Sequence, residues 1–256
     1  MPAVERERRG HVEILTINRP EARNAIDAEV SRAMSSALDE LAEDDDCSVV
    51  VLTGSGEKAF SAGMDLKAFA SGEGGSIMGT SGGFAGIVHR NFPKPIIAAV
   101  NGAALAGGCE IVLACDLAVA SEHATLGIPE AKRGLIAGAG ALIRLPNRLP
   151  LAIALELALT GEPIDAGRAH TLGLVNRVVP ANRLLEETLA LAALISDNAP
   201  LAVRWSKKVM LGALSVPEEE AWKLNTEAMG AVFPSADAME GSVAFAQKRK
   251  PSWQGR

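Results

Sequence analysis

The 256 residues predict a layered α/β core followed by a helical C-terminal module. Three observations carry that prediction. Short apolar runs are closed by Gly, Asn or Ser; one amphipathic helix follows the first of them; and after Pro180 the strand pattern gives way to leucines recurring every three or four residues.

The first element is His11 to Asn18 (HVEILTIN), which alternates apolar and polar side chains like a half-buried strand and stops at Arg19-Pro20. Ile26, Val30, Met34, Leu38 and Leu41 then share one helical face, with Asp27 placed to cap the first turn. Ser48 to Thr53 (SVVVLT), Pro95 to Val100 (PIIAAV) and Asp116 to Ala120 (DLAVA) are short runs with apolar centres, as strands covered on both faces are. Ala70 to Ala85, dense in Gly and Ser, reads as a mobile surface excursion near a site. Leu184 to Ile195, Leu201 to Leu214 and Glu218 to Val232 supply the helices of the last part. The expected organisation is a catalytic core over residues 1–195 and a helical segment over 196–256.

Composition narrows the function. With 48% hydrophobic and 22% charged residues the chain falls in the globular range. A net charge of -6, with Lys248-Arg249-Lys250 as the longest basic cluster, gives no footprint for nucleic acid. The N-terminal stretch has no apolar h-region and no segment reaches the length of a membrane span, so a cytoplasmic protein without a membrane partner is expected. Cys47, Cys109 and Cys115 are odd in number and lack CxxC spacing, which suits reduced thiols acting as small hydrophobes.

Several motifs fail on context. Gly79-Thr80-Ser81-Gly82-Gly83 matches GxSxG but lacks the strand that a nucleophile elbow requires before it. Gly102 to Gly108 has the glycine interval of a phosphate loop without its Lys-Ser/Thr pair. His11, His89, His123 and His170 stand apart from one another and from the cysteines, so no metal is expected.

Two other segments have a chemical pattern. Ala59 to Lys67 follows the strand SVVVLTG, and Asn101 to Glu110 follows PIIAAV, with Gly107-Gly108 opening a helix whose first N–H groups are free. Each loop could aim one backbone N–H at a developing oxyanion. Glu110, in apolar company in that helix, and Glu130, after Pro129, should have raised pKa values suited to proton transfer. By residue type alone each could equally be a helix-start Glu satisfied by backbone N–H groups.

The stretches NRPEARNAI (Asn18 to Ile26), AFSAGMDLK, KPIIAAVNGAALAGGCE, GIPEAKRGL and DAGRAHTLGLVNRVV (Asp165 to Val179) resemble, in order, the enoyl-CoA hydratase/isomerase (crotonase) family. Met239 to Arg256, DLKA and GGFAG are also similar to carnitinyl-CoA dehydratases. The resemblance implies a spiral of ββα turns with a helical C-terminal segment that forms trimers, often paired into hexamers. It also implies an oxyanion hole of the Met64 and Gly107 N–H groups and catalytic glutamates at Glu110 and Glu130. Coenzyme A would arrive as part of the substrate, with no separate cofactor, bordered by Ala62, Asp65 and Leu66. Its phosphates would be met by Arg23 and Lys67, and by Lys248 from the C-terminal helix or a neighbouring subunit. Ala106, Ala137 and Ala141 depart from residues common in the family, which bears on the acyl group accepted. The implied activity is hydration of a 2-enoyl-CoA; the alternatives are a carnitinyl-CoA dehydratase, an enoyl-CoA isomerase or a catalytically weak acyl-CoA-binding protein.

Overall fold

The computed structural model describes residues 1–256. Ten strands form two sheets: β1 (Val4–Arg9), β2 (Val12–Ile17), β3 (Val49–Gly54), β4 (Ala59–Ser61), β5 (Ile96–Val100), β6 (Ala103–Leu105), β7 (Leu117–Ser121), β8 (Thr125–Gly127), β9 (Ile164–Asp165) and β10 (Arg177–Val179). The larger sheet has the order β1-β2-β3-β5-β7-β10 and the smaller β4-β6-β8-β9. Successive pairs β3/β4, β5/β6 and β7/β8 each place one strand in each sheet, and parallel pairing of β3-β5-β7 and β4-β6-β8 stacks them. That connectivity is a spiral of ββα turns.

Side-chain alternation sorts the apolar strands onto two faces. Leu15, Ile17, Val50, Leu52, Ala98, Val100, Ala118 and Ala120 enter a core cluster of 47 buried residues. Val12, Ile14, Val49, Val51, Ile97, Ala99 and Val119 enter a second cluster on the opposite face, where helix Leu184–Ser196 covers them with Leu184 and Ala192. Helix Ala28–Glu43 packs into the larger core through Val30, Met34, Leu38 and Leu41, and the Asp27 carboxylate accepts the Val30 N–H at its start.

Two segments differ from their sequence reading. Val4–Arg9 (VERERR) is a strand, antiparallel to β2, although almost every side chain is charged. It is an edge strand, so ion pairs substitute for a buried face: Arg6 and Arg8 both bond the buried Glu13, at 2.9 and 2.6 Å. The Gly/Ser-rich stretch is not merely a surface excursion. It contains a helical turn, Gly74–Met78, with Ile77 fully buried, and it continues into buried Phe84 and Ala85. The Ser31 hydroxyl donates to the Ile77 carbonyl at 3.0 Å and ties the turn to the first long helix.

Past Ser196, three more helices follow: Pro200–Ala213, Glu218–Val232 and Ala236–Ala246, the last of which the periodicity did not reveal. Lys207 fastens the first of them to the core, its Nζ donating to the Lys94 carbonyl and to Asp116 Oδ2, both at 2.7 Å. The buried Asp237 carboxylate accepts the Gln254 and Gly255 N–H groups at 2.6 and 2.9 Å and fixes the chain end. No helix is long and apolar enough to cross a membrane. The three cysteines are free and buried.

Asp27→Ala removes the only side-chain cap of helix Ala28–Glu43 and should cost about 1 kcal/mol. Denaturant unfolding checks this; an unchanged midpoint would show that packing alone sets the helix start.

Candidate active site

The site begins at a turn built by Asn24. Its amide Nδ2 donates to the Ser55 and Ala59 carbonyls at 3.0 and 2.7 Å, while its own carbonyl accepts the Ser61 hydroxyl at 2.8 Å. Ser61 Oγ in turn accepts the Gly63 N–H at 3.2 Å. The Ile26 N–H donates to the Gly63 carbonyl and the Asp65 N–H to the Ile26 carbonyl, at 2.8 and 2.9 Å. These bonds flank Met64 in a parallel bridge, so the Met64 N–H points away from Ile26. No group in the chain accepts it.

The second turn leads from β6 into helix Gly107–Ala114. Ala106 holds φ 53° and ψ -128°, a left-handed conformation unusual for a residue with a Cβ. Its N–H donates to the Gly127 carbonyl at 2.9 Å. Gly107 is the first helical residue, and its N–H is also free of any partner. The two turns abut: a Cβ on Gly63 would lie 2.7 Å from the Gly107 nitrogen, one on Gly107 would strike the Phe84 ring, and one on Gly108 would collide with the Ser61 carbonyl. Two unused N–H groups are therefore held side by side, with the positive end of a helix behind one of them.

Two carboxyl groups face the same space. Glu110, 3% exposed, accepts the Ala139 and Ala141 N–H groups on Oε1 at 2.7 and 3.1 Å. It is not satisfied by its own helix start; its donors come from a turn about thirty residues downstream. Burial pushes its pKa up, while the Ala141 and Ala139 N–H groups and the nearby Arg144 guanidinium pull it back. Glu130 sits in the turn Pro129–Arg133 with Oε2 buried and unpartnered. Burial pushes its pKa up and the Glu110 charge adds to that, against its own backbone N–H and Arg133. Cys109 next door is no nucleophile, since burial pushes its thiol up to about 12.

Met64, Gly107, Glu110 and Glu130 line one cavity of about 450 Å³. Of the residues expected beside coenzyme A, Arg23, Ala62 and Leu66 line it too. Asp65 does not: Arg19 holds its carboxylate at 3.1 Å, and it caps the turn Leu66–Ala68 by accepting the Lys67 and Ala68 N–H groups. Lys67 is exposed at the start of that turn, outside the cavity wall. Lys248 takes a φ of 53° just past the last helix, and nothing in one chain brings it to the cavity.

The sequence reading did not single out Arg133, Phe69, Met78, Phe84, Leu135 and Ile136, all of which line the cavity. Arg133 follows Glu130 by one turn and carried that signal; Phe69, Met78 and Phe84 were masked by the glycines and serines around them. Ser81 follows a helical turn rather than a strand, so no nucleophile elbow forms. A larger hollow of about 810 Å³ beside the chain end has no buried acid, and its buried Lys94 is spent on the Leu41 and Asp44 carbonyls. No three His, Cys, Asp or Glu side chains gather as a metal would need.

Ala106 stores backbone strain, and glycine adopts the same conformation without it. Ala106→Gly should therefore raise stability by about 1 kcal/mol, after discounting the extra freedom glycine gives the unfolded chain. A higher Tm is expected; a lower one would make the Ala106 methyl a packing anchor.

The chain has counterparts among known proteins. A family profile described as Enoyl-CoA hydratase/isomerase matches residues 7–256. The chain is 42% identical over 254 residues to carnitinyl-CoA dehydratase of Salmonella enteritidis PT4 (strain P125109), covering 97% of both, and 41% identical to that of Proteus mirabilis (strain HI4320) with the same coverage. Among solved structures it is similar to an enoyl-CoA hydratase from Mycobacterium tuberculosis H37Rv, with 47% identity, full coverage of both chains and a TM-score of 0.96. A carnitinyl-CoA hydratase from Mycobacterium avium matches at 47% identity, again over both full chains, with a TM-score of 0.80. Profile, relatives and architecture agree over essentially the whole chain, and the protein belongs to the enoyl-CoA hydratase/isomerase family.

Proposed function

We propose that the protein is an enoyl-CoA hydratase, a hydro-lyase that adds water across the C2=C3 double bond of a 2-enoyl-CoA thioester. The observation that carries this reading is the pairing, in one cavity, of two unused N–H groups with two buried carboxyl groups. The thioester oxygen accepts from Met64 and Gly107, which draws electron density from C3 and stabilises the enolate that forms. Glu110 takes a proton from water as its oxygen bonds to C3, and Glu130 gives its proton to C2. The net change is OH at C3 and H at C2; proton exchange between the carboxyl groups restores the starting state.

The roles follow from the surroundings. Glu110 has two N–H donors and Arg144 to stabilise its charge, whereas Glu130 has an orphaned oxygen and the Glu110 charge against it. The mechanism therefore assigns the proton to Glu130 and the charge to Glu110.

Arg23 and Arg133, exposed and unpaired at the cavity wall, suit the phosphates of coenzyme A, with Lys67 nearby and Lys248 supplied by a neighbouring subunit. Self-association as a homotrimer or a pair of trimers is supported by the apolar side chains that one chain leaves exposed, Met210, Leu214, Phe233 and Phe245 among them. The reduced, buried thiols fit a cytoplasmic role in fatty-acid or related acyl-CoA metabolism.

A second reading, dehydration of a carnitinyl-type thioester, is favoured by the names of the relatives. The wall argues the other way. A quaternary ammonium is held by an aromatic cage, and here the aromatic lining is Phe69 and Phe84 alone, beside two arginines.

Crotonyl-CoA should lose its enoyl absorbance in the presence of the protein, and Glu110→Gln and Glu130→Gln should each lower kcat about 10²- to 10⁴-fold. Near-normal turnover in both would refute the two-carboxyl mechanism. In a thioester panel, crotonyl-CoA should outrun a trimethylammonium-bearing acyl-CoA; the reverse order would establish the second reading.

Stability should move opposite to activity. A carboxyl whose pKa is raised by folding contributes stability that is full below its ordinary range and lost as pH climbs through the raised value. Glu130→Gln should thus show a higher Tm than the wild type at neutral pH, with the gap closing near about pH 4. A lower Tm throughout would mean that the Glu130 charge stabilises the fold.

A further inference from the structure

We infer that Arg144 is a positioning residue for Glu110, holding the turn that grips the Glu110 carboxylate in register with the oxyanion hole. This inference rests on the hydratase reading for its catalytic meaning, though its geometry stands by itself.

Arg144 lies in the first turn of helix Ala141–Arg148, and its side chain folds back across the helix start. One guanidinium nitrogen donates to the Ala139 carbonyl at 3.3 Å, the other to the Val88 carbonyl. Gly140, at φ 109°, has no room for a Cβ because the guanidinium occupies that position. The peptide unit that Arg144 braces, from the Ala139 carbonyl to Gly140, lies between the two whose N–H groups hold Glu110 Oε1. Val88 belongs to the same buried stretch as Phe84, whose ring lies where a Cβ on Gly107 would be. A single fork thus joins the cradle of the proposed base to the segment behind an oxyanion donor. Lysine has one nitrogen and no fixed angle between donors, so it reproduces the charge without the brace.

The guanidinium also places an uncompensated positive charge near Glu110, for no carboxylate forms an ion pair with Arg144. The other charged or titratable groups around Glu110 do not duplicate it. Cys109, beside it on the same helix, is neutral; Glu130, from the turn Pro129–Arg133, is acidic; and Arg133 acts on Glu130. Arg148, one turn along the helix from Arg144, donates to the Cys115 carbonyl at 2.9 Å. Arg144 is the cation that offsets the burial of Glu110.

The test uses the full chain with side-chain ¹³C NMR of glutamate, amide exchange and crotonyl-CoA kinetics on Arg144→Gln and Arg144→Lys. In Arg144→Gln the Glu110 titration and the acid limb of the kcat profile should both move to higher pH, with kcat about 10- to 100-fold lower and KM nearly unchanged. In Arg144→Lys that limb should stay near its wild-type position, while the Ala139 and Ala141 amides exchange faster and kcat still falls. A folded Arg144→Gln with an unmoved Glu110 titration overturns the inference, whatever its kcat. If that variant does not fold, unchanged Ala139 and Ala141 exchange in Arg144→Lys overturns it equally. A wild-type protein that fails to hydrate crotonyl-CoA would sink the hydratase reading, and the NMR and exchange results would still decide the role of Arg144.

Discussion

The approach of two backbone turns, with no side chain between them, is the constraint from which the rest of the site follows. A Cβ on Gly63 would press on the Gly107 nitrogen, one on Gly108 on the Ser61 carbonyl and one on Gly107 on the Phe84 ring, so only glycine lets the turns come this close. Such contact needs each turn to be held from outside. Asn24 and Ser61 hold the first by side-chain hydrogen bonds, and the parallel strands β4, β6 and β8 hold the second. The ββα spiral repeats a strand pair at each turn and so delivers two equivalent loops to neighbouring positions at one end of the small sheet. Fold and site are linked at that point.

Around this fixed centre the protein keeps two carboxyl groups in surroundings that disfavour charge. Burial makes them costly at neutral pH, and the cost is distributed unequally. Glu110 receives two peptide donors and a nearby guanidinium; Glu130 receives one buried oxygen without a partner. In the proposed mechanism this inequality suits Glu110 to be the base and Glu130 the acid, although both are glutamates in one cavity. The strained Ala106 and the orphaned Glu130 oxygen sit within this same region, as strain and unmet polar groups often do at a functional site.

Much of this was legible in the residues. Apolar runs in PIIAAV and SVVVLT marked central strands because both of their faces are buried, and Asp27 marked a helix start because only a short polar side chain can take the free N–H groups there. VERERR was not legible as a strand, since an edge stabilised by ion pairs across to Glu13 has no apolar alternation to read. In the site, the glycines at 63, 107 and 108 and the acids at 110 and 130 were readable as chemistry. Resemblance to the family supplied their roles. The apolar wall was hidden: Phe69, Met78 and Phe84 are scattered through a Gly/Ser-rich segment whose composition suggests an exposed loop, and their convergence depends on Ile77 and Phe84 being drawn into the core. Asp65 misled in the opposite sense. It lies among cavity residues in sequence, but Arg19 and a helix cap take its carboxylate.

The most direct measurement of the central claim is the carbonyl stretch of a ¹³C-labelled enoyl-CoA thioester bound to Glu110→Gln, recorded by difference infrared spectroscopy. Two N–H donors from Met64 and Gly107 on one oxygen predict a band displaced clearly to lower frequency than in water, because the bond is polarised toward the enolate. A bound thioester whose carbonyl absorbs where the free one does would show that these two groups are not an oxyanion hole.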